Sequence, residues 1–365
     1  SYLATDWYMA QMRRPSYEAQ AIPMQAVADT YAYGHRTWGS TYYYDNDDNL
    51  QFFNRDVFVP ALESIADYYS PDNSNPDTNY FRYPCFYIPL KPDVAVERGY
   101  VPADKKMNVA DSIAVDLYRD QYFSGKDQYT LSSSKAMEFD MISSIINQGW
   151  KRPIYFAMTI PDEYHSFFYN FLQSSGMAYN ITPIDKSNKH ATMGAGFTDK
   201  AYRNITEKFR WGGLDVPGAK PYYDETAARM ANTTRLAILE TVEALLEEGE
   251  TAEKVMNHAE GETEITDIPA RCLTKDWIAD RYNKARTLLQ TIEKKVPFTL
   301  VPANFTITDD IARYYYRIAD YSKLDADRAA GDRFINATID KYAAYIRYYQ
   351  SLSYNQLSGL TQTDL

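Results

Sequence analysis

From Pro221 onward the apolar residues recur at the spacing of one helix face, and this limits more than any other feature what the chain can fold into. Ala231, Arg235, Ile238, Val242 and Leu245 line one side of a helix that Gly249 is expected to end, with a second short helix from Thr251. Asp276 to Lys295 carries Ile278, Tyr282, Ala285, Leu289 and Ile292 on one side. Further helices are read over Asp309 to Tyr321 and Asp325 to Leu352. The last of these has Ile335, Ile339, Tyr342, Ile346 and Tyr349 spaced four and three apart. Amphipathic helices joined by short links bury their stripes by packing in antiparallel pairs. Residues 216–365 are therefore expected to form an all-α, helical-repeat domain of tetratricopeptide-like kind, although no strict repeat of about 34 residues runs through it.

Residues 1–215 have a different texture. Helices are read from Asp6 to Arg14, stopped by Pro15, and from Val57 to Tyr69; Ser70 to Asn79 is a loop by composition. Tyr83 to Pro89 and Tyr129 to Leu131 are strand candidates. The clearest local unit begins at Ser132, where Met137, Met141, Ile145 and Ile146 stripe a helix that Gly149 ends. Trp150-Lys151-Arg152-Pro153 then leads into the apolar run Ile154 to Met158, read as a buried strand. A helix from Tyr164 to Ser174, ending at Gly176, and a strand from Ala178 to Ile184 complete a β-α-β unit, hence a parallel pair. The expectation for 1–215 is an α/β domain with a small, partly parallel sheet. The boundary is drawn near 212–221, where Gly212, Gly213, Pro217, Gly218 and Pro221 cluster.

Composition narrows the function classes. A net charge of −11 over 365 residues argues against nucleic acid as a partner, since phosphate binding needs a basic surface. No apolar run approaches the roughly 18 residues a bilayer span needs. The 34 tyrosines are the unusual component, and so many aromatic side chains must bury area somewhere.

Residue chemistry offers little that is catalytic. The four histidines, His35, His165, His190 and His258, form no metal-ligand arrangement, and Glu163 and His165 point to different sides of a helix. Asp45 to Asn49 supplies oxygens in an EF-hand-like count. Leu50 stands where that loop needs Gly, however, and Asp56 where it needs Glu, so a solvated turn is the reading. Gly194-Ala195-Gly196 is a lone pair of glycines beside Lys189 and His190, too little for a phosphate cradle. Glu247, Glu248, Glu250, Glu260, Glu262 and Glu264 read as solvated faces. Cys85 and Cys272 read as two buried thiols, with a disulfide as the alternative. No catalytic residue, metal site or cofactor is assigned. The candidate binding surface is Trp38 with Tyr42, Tyr43 and Tyr44, because consecutive tyrosines put phenols on more than one face. Tyr314 to Tyr316 are read either as seam packing between helices or as a displayed protein-binding face.

Three segments in order resemble a known family. Thr5 to Arg14 (TDWYMAQMRR), Gly149 to Ala157 (GWKRPIYFA) and Tyr223 to Asn232 (YDETAARMAN) are similar to segments of large polytopic membrane proteins of unknown function from Bacteroidetes. The N-terminal half of that family resembles C-type glycosyltransferases of the protein O-mannosyltransferase kind. The resemblance implies a soluble C-terminal region, cut from a larger protein and held on the periplasmic side of the inner membrane by a transmembrane region outside this chain. The abrupt start at Ser1 leads to the same expectation. Asp111-Ser112-Ile113 also resembles the O-glycosylation acceptor of these bacteria. In such transferases the acidic catalytic residues lie in a loop between the first transmembrane helices, so none is carried onto this chain. The motif residues Asp6, Trp7, Trp150, Arg152 and Pro153 are read as structural: the tryptophans as core anchors, Arg152 as an ion-pairing or capping group, Pro153 as a strand entry. The function this implies is a non-catalytic accessory or binding domain contacting acceptor protein or glycan. An interaction scaffold, or a stand-alone Tyr-rich sugar-binding protein, is the alternative.

Overall fold

In the computed structural model, the described residues are 85–116, 133–188, 190–216, 218, 224–257, 267–353 and 356, with short pieces at 8, 11–12, 14–16, 20–22, 42–44 and 50–52. Of the earlier readings, the helix over Val57 to Tyr69, the loop after it, the strand at Tyr129 to Leu131 and the Asp45 to Asn49 turn lie outside them. The chain divides into two compact units. The first comprises Ser1–Gln173, Ala178–Gly196 and Thr266–Pro269; the second comprises Ser174–Met177, Phe197–Ile265 and Ala270–Leu365.

In the first unit, β1 (Tyr42–Tyr44) pairs antiparallel with β2 (Leu50–Phe52). β3 (Cys85–Pro89) leads through a one-and-a-half-turn helix, α1 (Pro92–Glu97), and a 3-10 turn at Ala103–Asn108 to β4 (Ser112–Asp116). β3 and β4 are antiparallel, with Ile88 opposite Ile113, and both of those side chains are buried. The resemblance at Asp111-Ser112-Ile113 thus falls on the opening of a core strand. α2 (Ser133–Asn147) packs on β3 and brings Phe139, Ile142 and Ile146 into the core; of the stripe read from sequence, Ile145 and Ile146 are buried and Met141 is half-buried. Gly149 and Trp150 then take left-handed backbone, at φ 84° and 54°. That reversal turns the chain off the helix end and drives the Trp150 indole into the core.

The expected parallel pair is not formed. β5 (Tyr155–Ala157) pairs antiparallel with β7 (Ala178–Ile181), and β6 (Leu172–Ser174) lies on the other side of β7. Residues 164–174 do not make the crossover helix. They form two 3-10 turns, Asp162–Tyr164 and Ser166–Phe171, and then β6, which three residues join to β7. With no crossover helix between them, β7 returns antiparallel to β5. Nor is Ile154 to Met158 buried on both sides: Phe156 points into the core while Tyr155 is 44% exposed, the alternation of an edge strand.

The second unit is helical. α3 (Phe197–Arg203) continues into a π turn at Asn204–Lys208, and the unit then runs through α4 (Glu225–Asn257), α5 (Lys275–Lys295), α6 (Phe305–Ser322) and α7 (Asp325–Ser351). Residues 197–215, grouped with the α/β half on composition, pack with these helices; Asp215 pairs with Lys295 at 2.8 Å. α4 packs on α5 and α6 on α7, with Ala231, Arg235, Ile238, Val242 and Leu245 all buried. Thr274 caps α5 and Asn304 caps α6, each accepting from a backbone N–H three residues on. Gly249 does not end a helix. α4 runs through it for 33 residues, because the Tyr282 ring fills the space that a Cβ there would meet at 3.0 Å. The described residues form a mostly helical protein with small antiparallel sheets in the N-terminal half.

Candidate functional site

The W-x-R-P segment is both anchor and edge. Trp150 is 1% exposed, and its indole N–H donates to the Leu90 carbonyl at 2.8 Å. The Tyr100 ring lies 4.9 Å from it, tilted at 49°. Arg152 donates to the Gln20 carbonyl, which ties the 20–22 piece to the start of β5, and Pro153 stands exposed at the strand entry. Trp150 is thus a core residue, Arg152 bonds a backbone carbonyl, and Pro153 lies two residues before β5. Asp6, Trp7 and Trp38 lie outside the described residues. Tyr42 to Tyr44 are described as strand β1 in backbone only.

Beyond the anchor the same segment presents polar aromatic surface. Tyr155 stands opposite Asn180 in the β5–β7 register, so the two share a face of the sheet. The Tyr100 phenol is pushed up to about 12, chiefly by its own burial and then by the neighbouring Tyr155 phenol. The Tyr100 hydroxyl thus remains a protonated donor at any physiological pH. Asn180 is 4% exposed, and its Oδ1 has no hydrogen-bond partner among the described residues. On the opposite face, His165 sits edge-on between Phe156 and Tyr179, with centroids 5.7 Å from each. Its neighbour Tyr164 is exposed, as is Tyr169, over whose ring the Lys186 ammonium lies at 4.0 Å. Tyr155, Tyr164 and Tyr169 are the functional candidates that sequence reading missed. The uniformly apolar run Ile154 to Met158 holds no signal that separates its wet face from its dry one.

Charge within the first unit is used structurally. Lys105 is wholly buried and donates to the carbonyls of His190 and Asp267, at 3.2 and 2.5 Å. Asn108 and Asn188 donate to the Asp267 carboxylate, at 3.5 and 2.7 Å. Gly194 and Gly196 supply left-handed turns ahead of α3. Among the described residues, no three His, Cys, Asp or Glu side chains stand close enough to hold a metal ion.

The second unit holds a cleft of about 590 Å³ lined by Arg286, Glu293, Lys294, Tyr315, Asp327 and Arg333. Its carboxylates are engaged. Arg286 grips Asp327 with two bonds of 2.7 Å, and Tyr315 and Arg333 both donate to Glu293. Tyr314 and Tyr315 are 2% exposed, and Tyr316 is half-buried with its hydroxyl on Asp332, so this run packs the seam between helices. Cys272 is buried in a short turn before α5.

A family model described as TMEM260-associated domain 2 matches residues 1–200, which takes in the W-x-R-P anchor, the exposed tyrosines and the β5–β7 edge. The chain belongs to this family. TMEM260, to which the domain is linked, is protein O-mannosyltransferase-like, so the glycosyltransferase association that the sequence motifs implied stands. No curated protein and no solved structure matches the chain. Among the described residues of this TMEM260-associated domain, no helix is long and apolar enough to cross a membrane.

Proposed function

We propose that this chain is a non-catalytic accessory domain of a membrane-embedded, glycosyltransferase-like protein, and that it binds the acceptor, as polypeptide or glycan. In this reading it works on the periplasmic side of the inner membrane of a Bacteroidetes-type cell, next to the transmembrane region of its own protein. The observation that carries the proposal is the Tyr155 edge. An exposed phenol stands beside Tyr100 and the unsatisfied Asn180 acceptor, on the segment bearing the family's W-x-R-P motif, inside the matched residues. Aromatic faces with hydroxyl tips suit both sugars and extended polypeptide, offering stacking and a hydrogen bond in one group.

The chemistry supplied is recognition alone. Tyr155 and Tyr100 donate, and Lys186 adds a positive charge beside Tyr169. The test is an array of mannose-bearing glycans and Ser/Thr-rich peptides probed with the 365-residue chain. Retention of one class, reduced in Tyr155→Ala and Tyr169→Ala, is expected. Silence across both classes would sink the proposal.

A further inference from the structure

The cleft of the second unit has walls built from two helix faces. Arg286, Gln290 and Lys294 stand four residues apart along α5, and Ala326, Ala330 and Arg333 recur at steps of four and three along α7. Each set therefore lines the gap from one side of its helix. The space exists because α7 offers alanines there, whose methyl groups leave room that longer side chains would fill. The resulting volume of about 590 Å³ is that of a small-molecule site.

The polar groups of the cleft do not balance. Both carboxylates are already filled. Asp327 takes Arg286 on both oxygens and the Ser322 hydroxyl on one of them. Glu293 takes the Tyr315 hydroxyl on one oxygen and Arg333 on the other. The donors, by contrast, are not used up. Arg333 gives only one of its nitrogens to Glu293, and among the described residues no hydrogen bond or ion pair engages the side chains of Lys294 and Gln290. Pairing Arg286 with Asp327 and Arg333 with Glu293 leaves one positive charge, on Lys294.

A group that suits this arrangement brings hydrogen-bond acceptors, a single negative charge, and a body that can lie on methyl groups. A second negative charge would find no cation of its own and would meet Asp327 and Glu293. An uncharged ligand would gain nothing from Lys294. We infer that the cleft binds a small organic carboxylate, its head between Lys294 and Arg333 and its body against Ala326, Ala330 and Leu324. Leu324 is 53% exposed and extends the apolar wall at the rim. Hydrogen bonds from an ammonium or guanidinium to a carboxylate are roughly twice as strong as neutral ones, so the head sets the specificity. Lys294 and Arg333 are both open to water, which keeps the affinity low and sensitive to salt. This site shares no residue with the Tyr155 edge, so either can fail without the other.

Ligand-observed saturation-transfer titration of the 365-residue chain tests this. Hexanoate and glucuronate are the probes, hexanol and glucose their uncharged counterparts, and inorganic phosphate the competing anion. Saturable binding of at least one carboxylate, absent for its counterpart and weaker as salt is raised, is expected. Lys294→Gln should weaken it about tenfold. Ala326→Leu, which fills the cleft from an exposed position, should abolish it, and both variants should melt like wild type. No saturable binding of either carboxylate overturns the inference, and so does binding that either variant leaves unchanged. Phosphate bound as tightly as the better carboxylate overturns the assignment to carboxylates.

Discussion

Arg235 and Arg281 are both buried, yet their charges are met in opposite ways. Among the described residues, Arg235 has no carboxylate partner. Its guanidinium donates to the carbonyls of Val296, Pro297 and Val301 and to Asn232, and it lies 4.4 Å from the Phe298 ring centroid. Burial lowers it to about 10, so it stays protonated and gathers the carbonyls at the C-terminal end of α5. Arg235→Met should cost about 3 kcal/mol or more in urea denaturation, because several buried acceptors lose their donor together.

Arg281 instead bonds Asp199, Glu248 and Asp280, with Lys284 bridging Asp199 and Asp280. Removing one side of such a cluster strands a buried charge. Arg281→Met should cost roughly 3–5 kcal/mol, and adding Glu248→Leu should recover part of that loss, a coupling that a double-mutant cycle reads directly.

Acid sensitivity follows from the same residues. Burial alone would raise Asp199 and Asp327. The bonds from Arg281 and Lys284 to the first, and from Arg286 and Ser322 to the second, outweigh it and hold both below the usual carboxyl range. A depressed carboxyl binds fewer protons in the native state, so its stabilisation is present above the unfolded value of about 3.9 and fades as pH falls through the lower native one. Glu248 runs the other way. Burial raises it despite Arg281 and Thr198, so it favours folding on the acid side and that contribution fades as pH rises through its native value. The urea midpoint should fall as pH drops below about 4, and Asp327→Asn should flatten the fall.

Among the elements, most helices were legible and the sheet was not; on α7 the face was misread, since Ile339, Tyr342 and Ile346 are exposed and its buried positions are Asp327, Gly331, Phe334 and Thr338. The α4 and α5 stripes name buried residues because a helix face repeats over many turns. The strands have only three to five residues, too few for alternation to distinguish an edge from a buried strand. Residues 164–174 failed as a helix because their rings serve a two-sided core: Phe168 meets Phe139 and Phe156, at 5.8 and 6.0 Å.

Gly249 shows the limit of reading punctuation locally. Its reason is the Tyr282 ring, 33 positions away and itself stacked on Tyr321 at 3.9 Å. Alanine would gain about 1 kcal/mol of helix propensity there. It would also press on a ring that the stack prevents from yielding, a strain of roughly 1–3 kcal/mol. Gly249→Ala should therefore lower the melting temperature, whereas a propensity effect alone would raise it.

For the whole molecule, the sequence motifs pointed to the glycosyltransferase association, and the family match over residues 1–200 agrees with it. Trp150 was read as a core anchor from the motif it belongs to, and its indole lies in the core. Tyr155 was not legible, since the apolar run around it looks the same whether one face is wet or dry. Trp150→Ala should cost about 3–5 kcal/mol and reduce binding only through lost folding. Tyr155→Ala, at an exposed site, should leave stability nearly unchanged.

That contrast gives the most direct test of recognition by the Tyr155 edge: calorimetric titration of the 365-residue chain and its Tyr155→Ala variant with a mannose-bearing oligosaccharide and with a Ser/Thr-rich acceptor peptide. Saturable binding of one of the two, weakened about tenfold or more in a variant that melts like wild type, is the expected result. Binding of equal strength in both proteins, or none to either ligand, would contradict it.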